Sequence, residues 1–479
     1  MQVRAALLYM VISRAVSMLV LAGSFIVLGR LLDPAAFGHF AVAMAIFGLA
    51  DSTVQFGLRQ YVVSRRDTVP RETVAAAAGL SLVIALGLAG AGLAVGLGPV
   101  GRWLPEPVAA CLVPLSLVLL LRPFVLGTES LLQRDIRFEL ISMGDVVRAV
   151  TDLLVTISLV LLGFSAPALA WGFFASHLVL SGLLLVMGGA DTRVWPRLGS
   201  WSAFFVWGRR MTAIELLPKS VEAAMIGLLS VFQGAATVGL FNRARMIQEM
   251  LDRTLFEAIS PVILPAISSA LRTGVTPSAL YRTKLDYLTA ICWPGFALIG
   301  LLAEPLVRVL LGQQWMEAVP AVRILALIGL SLPATKMSQK LFVAMDRSDR
   351  YLRLQFLQDG VRLPLAAIGA MISLEAFAFA YVLGSWFKAV GITIELKRMG
   401  VHGAHGIPVL RAVVLTIGTL AGPGLMMANG LSSGAIVAAA FPLALAGWLV
   451  AAVLVRHPVI GEIRTFSAGA RRRLKPRAP

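Results

Sequence analysis

Charge is scarce in this chain, and acidic charge scarcest. Charged residues make up 14% of the 479 positions, against roughly a quarter in soluble domains. Only 25 are acidic, against 42 Lys and Arg, giving a net charge of +17. There are two cysteines, Cys111 and Cys292, both at or near apolar segments; that excludes a disulfide framework and a cysteine metal site. Five histidines are present, and His402 and His405 lie three apart in a hydrophilic gap with no acidic or cysteine companion nearby, so no metal is expected there. The chain has no phosphate-binding P-loop, no nucleophile elbow and no metal-ligand cluster. An enzyme, an intrinsic ATPase and a resident cofactor are therefore not expected.

What is abundant is apolar. Hydrophobic residues make up 58% of the chain, and runs of about 20 such residues recur throughout, as a helix crossing a bilayer requires. The alternating segments of about 10 residues that mark a β-barrel are missing. The fold class expected is an all-α polytopic membrane protein of about fourteen transmembrane helices, at 8–30, 39–62, 74–98, 108–128, 143–163, 167–188, 211–232, 236–268, 285–303, 317–343, 352–372, 376–396, 408–428 and 434–455. Pro261 and Pro265 should kink or end the eighth. A cleaved signal peptide is not expected, because the first run continues to Leu28 without a convincing small-residue cleavage site.

The basic residues sit in the gaps between runs, so they are read as topology rather than as a nucleic-acid surface. Arg59, Arg65, Arg66, Arg71, Arg193, Arg197, Arg272, Arg347 and Lys397 fall in alternate gaps, on one side, with the tail Arg471, Arg472, Arg473, Lys475 and Arg477. The other side carries Arg30, Arg102 and Arg308. Both termini are then expected in the cytoplasm, with the tail resting on anionic headgroups. Trp103, Trp195, Trp201, Trp293 and Trp315 fall near span ends, as interfacial anchors do.

One stretch breaks the pattern. From Leu240 to Glu257 the eighth span carries Arg243, Arg245, Glu249, Asp252, Arg253 and Glu257. On a helix, Asn242, Arg245, Glu249, Asp252, Arg253 and Ser260 share an arc of roughly 100°. A charge at the centre of a bilayer costs about 2.5–3.5 kcal/mol even on the mildest scale, so this face is expected to line a polar cavity.

A repeat supports that reading. Gly38, Phe40, Ala43 and Asp51 fall on Gly239, Phe241, Ala244 and Asp252 at a constant offset of 201. The second span then corresponds to the eighth. The expected organisation is two pseudo-symmetric six-helix lobes, 1–190 and 191–400, two additional helices over 401–456 and a basic tail at 457–479. A repeat of this kind predicts a cavity between the lobes and alternating access around it.

Four stretches resemble one family: Arg30-Leu31-Leu32-Asp33-Pro34-Ala35-Ala36-Phe37-Gly38, Leu131-Leu132-Gln133-Arg134-Asp135-Ile136-Arg137-Phe138, Val238-Gly239-Leu240-Phe241-Asn242-Arg243-Ala244 and Leu311-Gly312-Gln313-Gln314-Trp315. Together they are similar to the Wzx-type polysaccharide flippases of the multidrug/oligosaccharidyl-lipid/polysaccharide (MOP) exporter superfamily. The resemblance implies a fourteen-helix, two-lobed fold. It also implies a cargo, an undecaprenyl-diphosphate-linked oligosaccharide moved across the inner membrane for exopolysaccharide, O-antigen or capsule biosynthesis. Membrane lipids, a polysaccharide polymerase and chain-length proteins are the partners it implies; nucleic acid is not one. The seventh span departs from the family in carrying Glu215, Lys219 and Glu222.

Such a cargo needs cations for its diphosphate, and arginine's planar fork suits phosphate oxygens. The candidates are Arg14, Arg245, Arg253, Arg243, Lys336 and Lys219, with Arg122 and Lys340 behind them. For each, the competing reading is an internal salt bridge. The intramembrane acids are Asp51, Glu129, Asp145, Asp152, Glu215, Glu222, Glu249 and Asp252. Burial favours the protonated carboxyl, which lets such a group carry a coupling proton. Asp51, Asp252 and Glu249 are the proton-coupling candidates, the first two because the repeat equates them. Two alternatives share the superfamily: a drug/cation antiporter, which favours acidic and aromatic sites, and a peptidoglycan-precursor flippase. A polymerase or ligase needs a large periplasmic loop, and the longest gap on that side is about a dozen residues.

Overall fold

The computed structural model describes the backbone at 2–64, 69–135, 137–189, 191–199, 201–256, 267, 269, 273–401 and 407–461, and the side chains there other than at 2–15, 64, 138, 202, 203, 255 and 407. Arg14, Arg65, Arg66, Glu257, Ser260, Pro261, Pro265, Arg272, His402, His405 and the basic tail lie outside the described residues or side chains. Among the described residues the secondary structure is helical, without strands.

The described residues form sixteen α-helices in order: α1 Gln2–Leu31, α2 Pro34–Gln55, α3 Leu58–Ser64, α4 Arg71–Leu97, α5 Glu106–Arg134, α6 Phe138–Leu161, α7 Ala166–Met187, α8 Ser202–Phe256, α9 Pro277–Leu301, α10 Ala303–Leu310, α11 Val319–Ala326, α12 Leu332–Ala344, α13 Ser348–Ile372, α14 Leu374–Arg398, α15 Ile407–Ala428 and α16 Ser433–Leu454. Eight described helices are long and apolar enough to cross a membrane, and ten spans result if two bent pairs each count once. Those pairs bend by 68° between α9 and α10 and by 44° before α12. Several of the fourteen expected spans are helical among the described residues without counting separately. α8 is one long helix broken at Gly234, whose φ of 83° lies in the left-handed region. That break falls in the gap between the seventh and eighth apolar runs. α6 and α13 carry several ionisable residues within their apolar stretches, among them Asp145, Arg148 and Asp152 in α6 and Asp359 and Arg362 in α13.

The local chemistry of the Arg30–Gly38 signature explains where α2 begins. Asp33 is its N-cap, and Asp33 Oδ1 accepts from the Ala36 N–H at 2.7 Å. Pro34 takes the first helical turn, where its missing N–H costs nothing. α2 ends at Phe56 and Gly57, both with positive φ (42° and 70°). α3 then continues the apolar run.

The chain divides into two compact units, Met1–Asn242 and Arg243–Pro479. In a bilayer, close backbone approach through small residues replaces the hydrophobic drive between helices. In the first unit, a Cβ on Gly38 would lie 1.7 Å from the Ala235 carbonyl oxygen, and one on Gly239 would lie 1.9 Å from that of Pro34. Only glycine permits this crossing of α2 and α8. A second packed centre gathers Phe56, Leu58, Tyr61, Val62, Val74 and Phe204, with Trp201 and Trp207 against it. In the second unit, a Cβ on Gly447 of α16 would meet the Gly418 carbonyl of α15 at 2.0 Å. Both helices are also tied to α9, where Trp448 Nε1 of α16 donates to the Ala290 carbonyl at 2.8 Å and Leu415 of α15 packs with Ala290.

Candidate functional site

Each unit holds a set of polar side chains on its membrane-spanning helices. In the first unit the set joins α2, α5 and α8. Arg122 Nε donates to Asp51 Oδ1 at 2.7 Å and its Nη2 to Oδ2 at 3.2 Å. This fork-on-carboxylate arrangement is the strong form of a charge-assisted bond. Gln55 Nε2 completes the carboxylate's shell at 2.7 Å. Toward the other end of α5, Arg59 pairs with Glu129 at 2.8 Å. From α8, Lys219 donates to Ser52 and Glu215 accepts from Gln60. Two of the three charges that set the seventh span apart, Glu215 and Lys219, are thus held by polar groups of α2 and α3.

In the second unit the set joins α8, α12, α13 and α14. Lys336 Nζ donates to Asp252 Oδ2 at 2.8 Å and lies 5.5 Å from the Phe256 ring centroid. Glu249 serves two arginines one turn away on either side: Arg245 at 2.6 Å and Arg253 at 3.7 Å. Arg245 also lies over Tyr381 of α14, 5.7 Å from the ring centroid. Arg362 lies 5.1 Å from the same centroid and pairs with Asp359 at 3.0 Å. Room for Arg362 is left by Gly384, where an added Cβ would meet the arginine's Cγ at 2.8 Å. Tyr381 and Gly384 are three residues apart on one helical face, so a single stretch of α14 seats the guanidinium and the ring together.

The sequence candidates divide accordingly. Arg245, Arg253, Glu249, Asp252 and Lys336 come together in the second unit, and Asp51 and Lys219 sit in the set of the first. Arg243 is 5% exposed and packed under Trp315, 5.9 Å from the ring, with Nη1 3.5 Å from Met246 Sδ. Trp315, expected at an interface, is fully buried, three residues after Gly312, whose φ is 103°. Arg14 falls outside the described side chains. Tyr381, Arg362, Asp359, Gln355 and Lys388 are absent from the sequence candidates. Asp359 and Lys388, ionisable residues in the runs 352–372 and 376–396, carried a usable signal.

A family model described as polysaccharide biosynthesis protein matches residues 27–320. The succinoglycan biosynthesis transport protein ExoT of Rhizobium meliloti (strain 1021) is 28% identical over 305 residues, covering 63% of this chain and 61% of that protein. The lipopolysaccharide biosynthesis protein WzxC of Escherichia coli (strain K12) is 21% identical over 364 residues, covering 72% and 71%. The chain thus spans about three-fifths of the length of the first relative. Among solved structures, the lipid II flippase MurJ in an inward closed conformation has a TM-score of 0.78 at 10% identity, over 94% of this chain and 99% of that one. An inward-facing multidrug resistance MATE family transporter of the MOP superfamily has a TM-score of 0.62 at 15% identity, over 80% and 94%. These likenesses establish the fold.

Proposed function

The chain belongs to the polysaccharide biosynthesis protein family, and on that premise we propose that it is a flippase for a lipid-linked oligosaccharide, a transporter rather than an enzyme. The finer reading is an undecaprenyl-diphosphate-linked repeat unit, moved across the bacterial inner membrane by alternating access of two lobes, with both termini cytoplasmic. A drug/cation antiporter is disfavoured, because the polar set of the second unit is cationic overall.

The observation that carries this reading is the charge balance of that set. Among the described residues this set brings five cations, Arg245, Arg253, Lys336, Arg362 and Lys388, together with three carboxylates, Glu249, Asp252 and Asp359. Two positive charges are left over, which matches the two negative charges of a diphosphate diester at neutral pH. In a low-dielectric span that excess is costly until an anion arrives. Arg245 and Arg362, held on one tyrosine ring, are the proposed phosphate ligands; Lys336 and Arg253 set the surrounding field. In the first unit, Lys219, and Arg14 on α1, remain proposed cavity cations, and Asp51, Asp252 and Glu249 proposed proton-linked acids.

The test is transport in proteoliposomes. Wild-type protein should move undecaprenyl-diphosphate-linked oligosaccharide, and Arg245→Ala combined with Arg362→Ala should abolish that movement while the protein stays folded. Full transport by the double variant would overturn the assignment. A peptidoglycan-precursor flippase is a second reading, favoured by the fold likeness to MurJ. The same assay with lipid II as cargo separates the two.

A further inference from the structure

Lys388 stands in the middle of α14, on a run apolar enough to cross a membrane, and is 7% exposed. An ionisable side chain in that position faces the interior of a bundle and marks an ion or substrate path unless a partner neutralises it outright. Among the described residues its direct partners are neutral. The ammonium donates to Tyr351 Oη at 2.9 Å and to Gln355 Oε1, and lies 4.4 Å from the centroid of the Tyr351 ring. Gln355 is held in one orientation by its two neighbours. Its oxygen accepts from Lys388, and its Nε2 donates to Asp359 Oδ2 at 3.0 Å.

Asp359, 2% exposed, then holds Arg362, which lies on Tyr381 beside Arg245. An unbroken chain of polar contacts therefore runs from the buried ammonium to Arg362, which shares the Tyr381 ring with Arg245. The other elements packed on α14 add few charges to it. From α12, Lys336 repels the ammonium at longer range, and from α13, Arg362 repels it while Asp359 attracts it. The charged residue of α11, Arg323, faces Glu304 instead, at 3.9 Å. On α14 itself, Glu395 is taken by Arg350 and Arg398.

We propose that Lys388, in its cradle of Tyr351, Gln355 and Asp359, is a proton-binding site linked to anion binding at Arg245 and Arg362. This rests on the transport reading above and adds a coupling group to it. In the step, an Nζ–H bond breaks, the proton passes to water, and the electron pair stays on the nitrogen as a neutral amine. One positive charge leaves the set, so its attraction for the diphosphate weakens and the anion is released more readily. Linkage is reciprocal: a bound diphosphate draws a proton back onto Lys388 by the same factor. Asp359 and Gln355 are positioning residues, since they act through Lys388 and Arg362.

The experiment measures proton uptake when undecaprenyl diphosphate is added to the full-length protein in weakly buffered detergent. Wild-type protein should take up protons on binding. Lys388→Arg keeps a permanent cation and its donors, so it should bind the lipid but lose the Lys388 share of that uptake; Lys388→Met should lose it too. Uptake in Lys388→Arg equal to wild type, or binding by wild type without uptake, overturns the proposal. Failure of wild type to bind undecaprenyl diphosphate counts against the transport reading instead. A second measurement then decides the inference by itself: 15N NMR of lysine-labelled protein, with Lys388→Arg assigning the signal. A Lys388 signal that titrates over the working pH range supports the site, and one that stays that of a fixed ammonium overturns it.

Discussion

Gly38 and Gly239, equated by the sequence repeat, face one another where α2 crosses α8: a Cβ on Gly239 would lie 3.1 Å from the Gly38 nitrogen. The two copies of the motif thus supply the two sides of a single contact. Each glycine is needed because its partner's backbone occupies the space a side chain would fill.

Gly38→Val should therefore destabilise the folded protein by about 1–3 kcal/mol, the usual cost of overpacking. The same is expected of Gly239→Val, and Gly48→Val, on the same helix with open space around it, should have little effect. Thermal unfolding in detergent, followed by the loss of a monodisperse size-exclusion peak, checks the order of the three variants.

Removing one member of the Arg122–Asp51 pair should cost more than removing both. The pair is largely buried, with side-chain exposures of 20% and 9%, and an orphaned buried charge typically costs about 3–5 kcal/mol. Asp51→Asn leaves Arg122 orphaned; Asp51→Asn with Arg122→Leu does not. A double-mutant cycle on detergent stability should show a positive coupling of at least about 1 kcal/mol. Independent, additive effects would show that the bond contributes nothing.

At Tyr381 the ring is expected to carry the larger effect. Tyr381→Phe keeps the face on which Arg245 and Arg362 rest, and cargo transport should be slowed less than in Tyr381→Leu. Tyr381→Leu removes two cation–π contacts of about 0.5–2 kcal/mol each and should slow transport by about tenfold or more. Equal activity of the two variants would remove the ring from the site.

Acid should weaken the seam that holds the C-terminal end of α16 to α9 and α15. His457, which follows α16, approaches Asp286 Oδ1 at 3.3 Å, and Arg411 donates to Asp286 Oδ2 at 3.2 Å. The Val459 N–H donates to His457 Nδ1 at 3.2 Å, which leaves the ring proton on Nε2, toward Asp286. Burial pushes the imidazole's pKa below its ordinary value, against the pull of Asp286. The folded state then binds fewer protons than the unfolded state, so stability is full above about pH 6.5 and falls as pH drops through that value. The fall in melting temperature between neutral and mildly acidic pH should be smaller in His457→Asn. An identical pH dependence in the two proteins would place the acid sensitivity elsewhere.

Asp51 and Asp252 were legible as a pair of positions through the repeat, and Arg245 with Glu249 through helical spacing. Their cross-helix partners were not. Arg122 lies 71 residues from Asp51, and Lys336 lies 84 from Asp252. Arg243 shows the converse: five charged neighbours on one stretch made it a cavity candidate, yet its side chain turns under Trp315. Periodicity tells which side of a helix a residue is on, not which helix comes to meet it.

The sequence by itself determined what depends on local composition. Apolar runs require helices in a bilayer, because no other local structure satisfies the backbone there. Asp33-Pro34 starts α2 and Gly234 breaks α8. Tertiary structure alone decided how the intramembrane charges are shared out: Asp51 to Arg122, Asp252 to Lys336, Arg245 and Arg362 to one tyrosine, and Lys388 to neutral oxygens. The physical reason is range. A helix cap or a hydrophobic run is settled within a few residues, whereas a buried charge is settled by whichever group the fold brings within about 3 Å.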